Sequence, residues 1–303
     1  MLKQIALSIP AIGRLFKQRN DLLVEKEKLR QAFQNLGTNH SNLLLEREMG
    51  WPHGGDGKNQ TIDSGRNVTE GYFRGQGLEF GPLKGYVLDH PLFKEALELI
   101  RGRTLCTLEK IANLFLLITF YLPKIKDGNI IEFGSYRGGM AIFMAFLSKK
   151  LNRHYRLYAL DTFTGMPESD ASKDLHKKGD FADADLNEIQ NYARSLNLDN
   201  LHLVPGLFED TFSAIASLQA PFNLVHLDCD IYDSLKYSYN AVKHYMVPGG
   251  YLVFDDPLFG TCLGAFQAVE DEVIRKDGLS AEQVYPHLVY RYPPLVSKPA
   301  ARD

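Results

Sequence analysis

The 303-residue chain is short of cysteine, has one tryptophan and carries almost no surplus charge, and each shortage removes a class of protein. Cys106, Cys229 and Cys262 are odd in number, widely separated and without a CxxC spacing. That argues against a disulfide framework or a spacing-encoded structural zinc site and fits a reducing cytoplasm. A net charge of -3 leaves no basic excess, so nucleic acid is not an expected partner. No apolar run has the length of a bilayer crossing. The strongest, Ile111 to Leu122, includes Asn113 and Thr119 and reads as a helix buried against a sheet. Pro10 interrupts the apolar part of the N-terminus and no small-residue cleavage site follows, so no signal peptide is expected and a cytoplasmic location is. On that expectation the sequon Asn67-Val68-Thr69 carries no meaning.

What is present is ordinary globular material, 45% apolar and 23% charged, enough for one large domain with an appendage or for two domains. Leu15, Leu22, Leu29 and Leu36 recur seven apart between Ile12 and Leu36, with charges on the other faces. This predicts an amphipathic helix over 1–37. It is either the seam of a short coiled coil, and so a route to a homo-oligomer or to peripheral docking, or a helix lying on its own domain. Arg19 and Lys26 weaken the seam, and Gly37 would cap it. Residues 38–85, rich in Gly and Asn and holding Trp51, have no sustained period and read as an irregular arm.

From Leu88 onward the pattern becomes alternating strands and helices. Helices are expected at Pro91–Arg101 and Leu105–Leu122. Five strand–helix units then follow, with strands at Asn129–Phe133, Arg156–Leu160, Leu201–Val204, Asn223–Leu227 and Tyr251–Phe254, and the alternating tail Gln283–Tyr292 reads as a closing strand or hairpin. Strands alternating with helices of this length imply βαβ units and a parallel sheet with helices on both faces, a Rossmann-like α/β domain over 86–303.

The first strand runs into Glu132-Phe133-Gly134-Ser135-Tyr136-Arg137-Gly138-Gly139. A glycine there lets backbone approach a ligand, and the following helix offers free N–H groups. Ser135 and Tyr136 stand where a dinucleotide fingerprint needs its second glycine, which disfavours a nicotinamide enzyme, and no GxxxxGK[ST] run exists. Asp161 closes the second strand, where a carboxylate is suited to a ribose diol.

Two acidic runs end later strands, Leu227-Asp228-Cys229-Asp230-Ile231-Tyr232-Asp233-Ser234 and Phe254-Asp255-Asp256. If those strands are neighbours, Asp228, Asp255 and Asp256 converge. Three carboxylates together repel one another unless a hard cation such as Mg²⁺ lies among them. Asp233 is read equally as a helix N-cap or a ligand, and Asp230 equally as a site residue or the start of a helix.

The acidic-x-Gly-x-x-x-Gly turn with Asp161 resembles the cofactor motif of class I S-adenosylmethionine-dependent methyltransferases. The runs Asp161-Thr162-Phe163-Thr164-Gly165-Met166-Pro167, Gly179-Asp180-Phe181-Ala182-Asp183 and Pro205-Gly206-Leu207-Phe208-Glu209-Asp210-Thr211, with the two acidic runs, narrow the resemblance to the macrocin O-methyltransferase family. The resemblance spans roughly residues 88–290. It implies a class I methyltransferase fold with a mostly parallel seven-stranded sheet, and Mg²⁺-dependent methylation of a sugar hydroxyl in a small-molecule glycoside, natural product or glycan. It further implies that Glu132, Gly134, Ser135, Gly138, Asp161, Thr162, Leu207 and Phe208 bind the cofactor. Asp228, Asp255 and Asp256 would hold the metal, and Asp228 would also serve as base. Catechol O-methyltransferase, with a similar metal triad, has a lysine three residues after the first acid; here Ile231 stands there.

The polar stretch from Met166 to Asp185 reads as a lid over the substrate, or as plain solvated surface. His226 is expected to be a sheet residue rather than a base, and His176, in the lid, is the one histidine with a catalytic alternative. The reading from a different class is a catalytically silent scaffold that recruits partners through its N-terminal helix.

Overall fold

The computed structural model describes residues 17–26, 28, 61–62, 66–67, 83–218 and 221–293. The chain divides into two units, 1–75 and 76–303. In the first, residues 17–26 are helical with exposed side chains, Leu22 among them at 65%. The short strands Thr61–Ile62 and Arg66–Asn67 pair antiparallel. The expectations for Leu15, Leu29, Leu36, Gly37 and Trp51 lie outside the described residues.

The second unit starts with α1 (Leu83–Asp89), α2 (Pro91–Leu99) and α3 (Leu108–Leu116), the last prolonged by a π turn over Leu117–Tyr121. Then follow β1 (Asn129–Phe133), α4 (Gly139–Lys150), β2 (Leu157–Asp161), α5 (Leu186–Ser195), β3 (Leu201–Pro205) and α6 (Phe208–Ala216). The chain continues through β4 (Phe222–Leu227), α7 (Tyr232–Val242), β5 (Met246–Phe254), α8 (Leu263–Ala268, extended by a π segment to Lys276) and β6 (Leu288–Tyr292). Among the described residues no helix is long and apolar enough to cross a membrane.

The sheet order is β3-β2-β1-β4-β5-β6, parallel except for the β5–β6 pair. The sheet therefore has six strands among the described residues, not seven. The residues before β6 fail to form another strand: Gln283 makes only an isolated bridge to Val289, and Pro286 has no N–H to donate to a ladder.

Strand side chains alternate between two cores. Ile130, Leu157, Leu224 and Val253 face α2, α3 and α4, while Ile131, Tyr158, Val225 and Leu252 face α6, α7 and α8. Coverage on both faces explains why β1 and β4 are buried almost throughout, Glu132, Asn223 and His226 included. Helix α4 lies so deep that every residue from Gly139 to Ser148 is buried. The strand order reverses at β1, between β2 and β4, and ligands of open α/β sheets bind outside the carboxyl ends of strands at such a switch point.

Candidate functional site

The carboxyl ends of β1, β2, β4 and β5 border a cavity of about 610 Å³. Its floor is the glycine turn. Gly134 has φ +88°, and a Cβ there would lie 1.7 Å from the Asp228 carbonyl oxygen, so only glycine lets the ends of β1 and β4 come this close. Gly138, φ +73°, starts α4 and would press a Cβ within 2.6 Å of Ile189. It is a packing residue of the turn and is absent from the cavity wall, whereas Glu132, Gly134, Ser135, Asp161, Thr162, Leu207 and Phe208 all line it.

Asp161 organises this turn. Its Oδ2 accepts the N–H groups of Ser135 and Tyr136, each at 2.8 Å, and its Oδ1 accepts that of Phe163 at 2.7 Å. The carboxylate expected to take the ribose also ties the first two strand ends together. Thr162 donates its hydroxyl to the Gly165 carbonyl at 2.6 Å, shaping the next loop. Phe208, on the first turn of α6, packs edge-on against Phe133 at 5.2 Å, so it serves the core and borders the cavity at once.

The acids meet on the opposite wall. The register Leu227 to Phe254 makes β4 and β5 neighbours and puts Asp228 next to Asp255 and Asp256. Asp255 does not stand as a bare carboxylate. Lys110, from α3, places its Nζ against Asp255 Oδ2 and 2.6 Å from the Asp255 carbonyl. His287 Nε2 is 2.9 Å from Asp255 Oδ1, and His226 Nε2 is 3.5 Å from it. His287 Nδ1 in turn faces Asn113 Nδ2 at 2.9 Å, which fixes Nε2–H as the donor to Asp255. His226 Nδ1 reaches Glu132 Oε1 at 3.0 Å, and Ser135 donates its hydroxyl to Glu132 Oε2 at 2.6 Å.

The electrostatics divide this cluster in two. Burial opposes ionisation of Asp255, but His226, His287 and Lys110 outweigh it and hold the carboxyl well below its ordinary range. Burial likewise opposes protonation of His226, yet the nearby Asp255 carboxylate and the hydrogen bond to Glu132 raise it to about 9. His226 is thus the buried sheet residue expected, and its acidic neighbours favour its protonated form. Asp228, by contrast, is pushed well up by burial and by Asp255, Asp256 and Asp230. Burial and Asp255 raise Asp256 to about 6, although it accepts the Asp230 N–H at 2.7 Å.

A divalent cation fits this chemistry. The oxygens of half-buried Asp228 and buried Asp256 are acceptors with no ammonium or guanidinium hydrogen-bonded to them among the described residues. Asp255, its own charge already balanced, lies with Asp228 and the Cys106 thiol in one cluster of possible donors, and among the described residues Asp256 is not part of that cluster.

Residues 163–185 fold over the cavity, with Gly165, Met166, His176 and Phe181 lining it. The stretch is a closed loop: the Met166 N–H donates to the Asp180 carbonyl and the Gly179 N–H to the Met166 carbonyl. Buried Asp174 accepts the Tyr232 N–H at 2.9 Å, at the start of α7. Asp233 is therefore not the cap of that helix; Ile231 occupies the cap position and Asp233 faces the cavity.

Sequence reasoning missed Lys110, His287, Cys106 and Cys262. Lys110 alone left a trace, a lysine inside the apolar stretch Leu108–Leu116.

The macrocin O-methyltransferase (TylF) family model matches residues 102–279. Among curated proteins, the chain is 28% identical over 174 residues to 8-demethyl-8-(2,3-dimethoxy-alpha-L-rhamnosyl)-tetracenomycin-C 4'-O-methyltransferase of Streptomyces olivaceus, covering 54% of this chain and 66% of that protein. It is 28% identical over 202 residues to mycinamicin III 3''-O-methyltransferase of Micromonospora griseorubida, covering 60% and 74%. Among solved structures, the O-methyltransferase NovP superposes with a TM-score of 0.50 at 20% identity, over 66% of this chain and 80% of that one. The calicheamicin methyltransferase CalS11 also gives 0.50 at 20% identity, over 68% and 94%. These two establish the fold as that of class I methyltransferases.

Proposed function

The chain belongs to the macrocin O-methyltransferase family, and from that membership we propose that it transfers the methyl group of S-adenosylmethionine to a sugar hydroxyl of a glycosylated small molecule. One observation carries the reading: the glycine turn and the carboxylates Asp228, Asp255 and Asp256 open onto the same cavity. The first relative's name gives a rhamnosyl-bearing acceptor, and a glycosylated small molecule is the acceptor class proposed here. A silent scaffold is not favoured, because a partner-recruiting domain has no use for a cluster of acids at a ligand-sized opening.

S-adenosylmethionine, when bound, supplies an electrophilic sulfonium methyl. Its methionine end would lie against Glu132, Gly134 and Ser135, and its nucleoside against Asp161, Thr162, Leu207 and Phe208. Much of the rate would come from alignment, since in-line displacement needs oxygen and methyl carbon held in near-attack geometry. Asp228, at the end of β4 and facing the cavity, accepts the proton of the acceptor hydroxyl. Mg²⁺ would be held by Asp228 and Asp256, with Asp255 beside them, and would lower the hydroxyl pKa. Lys110 and His287 keep Asp255 in place, and the lid excludes water.

The test is turnover of labelled S-adenosylmethionine on a panel of deoxysugar glycosides, read by mass spectrometry with and without chelator. Asp228→Asn should keep cofactor binding in calorimetry and lose about 10²- to 10⁴-fold in kcat. Unchanged turnover in that variant, or no cofactor binding by the wild type, defeats the reading.

A further inference from the structure

A second group of donors faces the cavity from three separate segments: His176 of the lid, Asp230 after β4 and Cys262 before α8. Cys262 Sγ is 3.4 Å from Asp230 Oδ1 and 3.7 Å from His176 Nε2, and His176 Nε2 is 3.8 Å from Asp230 Oδ1. The last distance is too long for a hydrogen bond. The three together match another geometry. Zinc bonds of about 2.0–2.3 Å to N, O and S in a tetrahedron separate the donors by about 3.3–3.8 Å. Three such donors form one face of the tetrahedron and leave a fourth position free.

The surroundings agree. His176 Nδ1 lies 3.4 Å from Asp180 Oδ2, the carboxylate–imidazole pairing that orients a metal-bound histidine and leaves Nε2 for the metal. Asp180 is itself held by the Lys177 N–H at 2.9 Å. Asp230 sits at φ +59°, a left-handed conformation that aims its side chain away from the strand path. The donor set of imidazole, thiolate and one carboxylate suits a borderline-soft ion, unlike the oxygen-only trio at Asp228, Asp255 and Asp256.

We propose that His176, Asp230 and Cys262 form a zinc site, adjoining Asp256 through the Asp230 N–H but with its own donor set, that latches the lid across the cavity. Zinc bound there ties the lid directly to the loops after β4 and β5, so its occupancy sets how readily the cavity opens. The sequence offers no spacing motif for it, because the three residues meet only through the fold.

Cobalt is the probe, in the reduced full-length chain. One equivalent of Co²⁺ should produce a thiolate-to-metal charge-transfer band with visible d–d bands of tetrahedral intensity. The signal should persist in Cys106→Ser, which removes a thiol near Asp228 and Asp255, and should vanish in Cys262→Ser and His176→Ala. Asp180→Asn should weaken Co²⁺ binding about 10- to 100-fold. Excess Mg²⁺ should leave the band intact. No band in the wild type, a band surviving in Cys262→Ser, or loss of it to Mg²⁺ overturns the site. In the wild type alone, stoichiometric Zn²⁺ should slow tryptic cleavage after the exposed Lys177 and Lys178. An unchanged rate overturns the latch. None of these readouts uses the methyl donor or the acceptor, so they stand apart from the success of the methyltransferase assay.

Discussion

Lys110 and Asp255 form a nearly solvent-free ion pair, each side chain about 4% exposed, one from a helix on the flank of the sheet and the other from a strand end. Such a pair costs desolvation on both sides, and its removal from one side leaves an uncompensated buried charge. Lys110→Met should therefore lower unfolding stability by about 3–5 kcal/mol in urea titrations, and adding Asp255→Asn should recover part of the loss. His226 gives a pH signature. Its folded pKa of about 9 lies above an unfolded value near 6.5, so its stabilisation is complete below about pH 6.5 and fades as pH rises through about 9. The fall amounts to about 3 kcal/mol at most and is read from denaturation midpoints between pH 6 and 10. Asp256 runs on the same sign at lower pH. Raised to about 6, it weakens the fold as pH climbs from about 4 through 6. Mg²⁺ should accordingly raise the melting temperature more at pH 8 than at pH 5, and an equal shift at both would argue against a cation at Asp256.

At the scale of elements, the lid depends on a glycine in another helix. A Cβ on Gly264 would lie 1.7 Å from Asp174 Oδ1, the carboxylate that accepts the Tyr232 N–H at the head of α7. Gly264→Ala should expel Asp174 from that seat and loosen residues 166–185 while the sheet stays intact. Faster proteolysis confined to the lid, with a raised KM and an almost unchanged melting temperature, is the expected pattern. Global destabilisation instead would show that the glycine serves the core. The helices and strands themselves were legible in the sequence. The run Asn129–Phe133 alternates between two apolar environments, and Gly134 marks where the chain must turn. The lid was legible only as polarity, because what closes it, Asp174 on a helix start and His176 beside Cys262, joins segments 58 and 86 residues apart.

At the scale of the whole molecule, the second unit carries its own two-faced core and every residue assigned to the site. We propose that the first unit serves assembly or docking through its N-terminal helix. A chain of residues 76–303 should then unfold cooperatively and bind S-adenosylmethionine as the full chain does, while light scattering reports any change in oligomeric state. Loss of cofactor binding in that fragment would place part of the site in the first unit. By itself the sequence determined the α/β alternation, the glycine turn with its acid at the second strand end, and the neighbouring strand ends that carry Asp228 and Asp255. All of these follow from local periodicity and from strand ends that a parallel sheet must bring together. Only the tertiary structure decided which acids are compensated. Lys110 comes from a helix before the first strand and His287 from the stretch before the last, and each reaches Asp255 across more than 30 residues of chain. Charge balance in a buried site is a sum over neighbours in space, and spacing along the chain does not encode it.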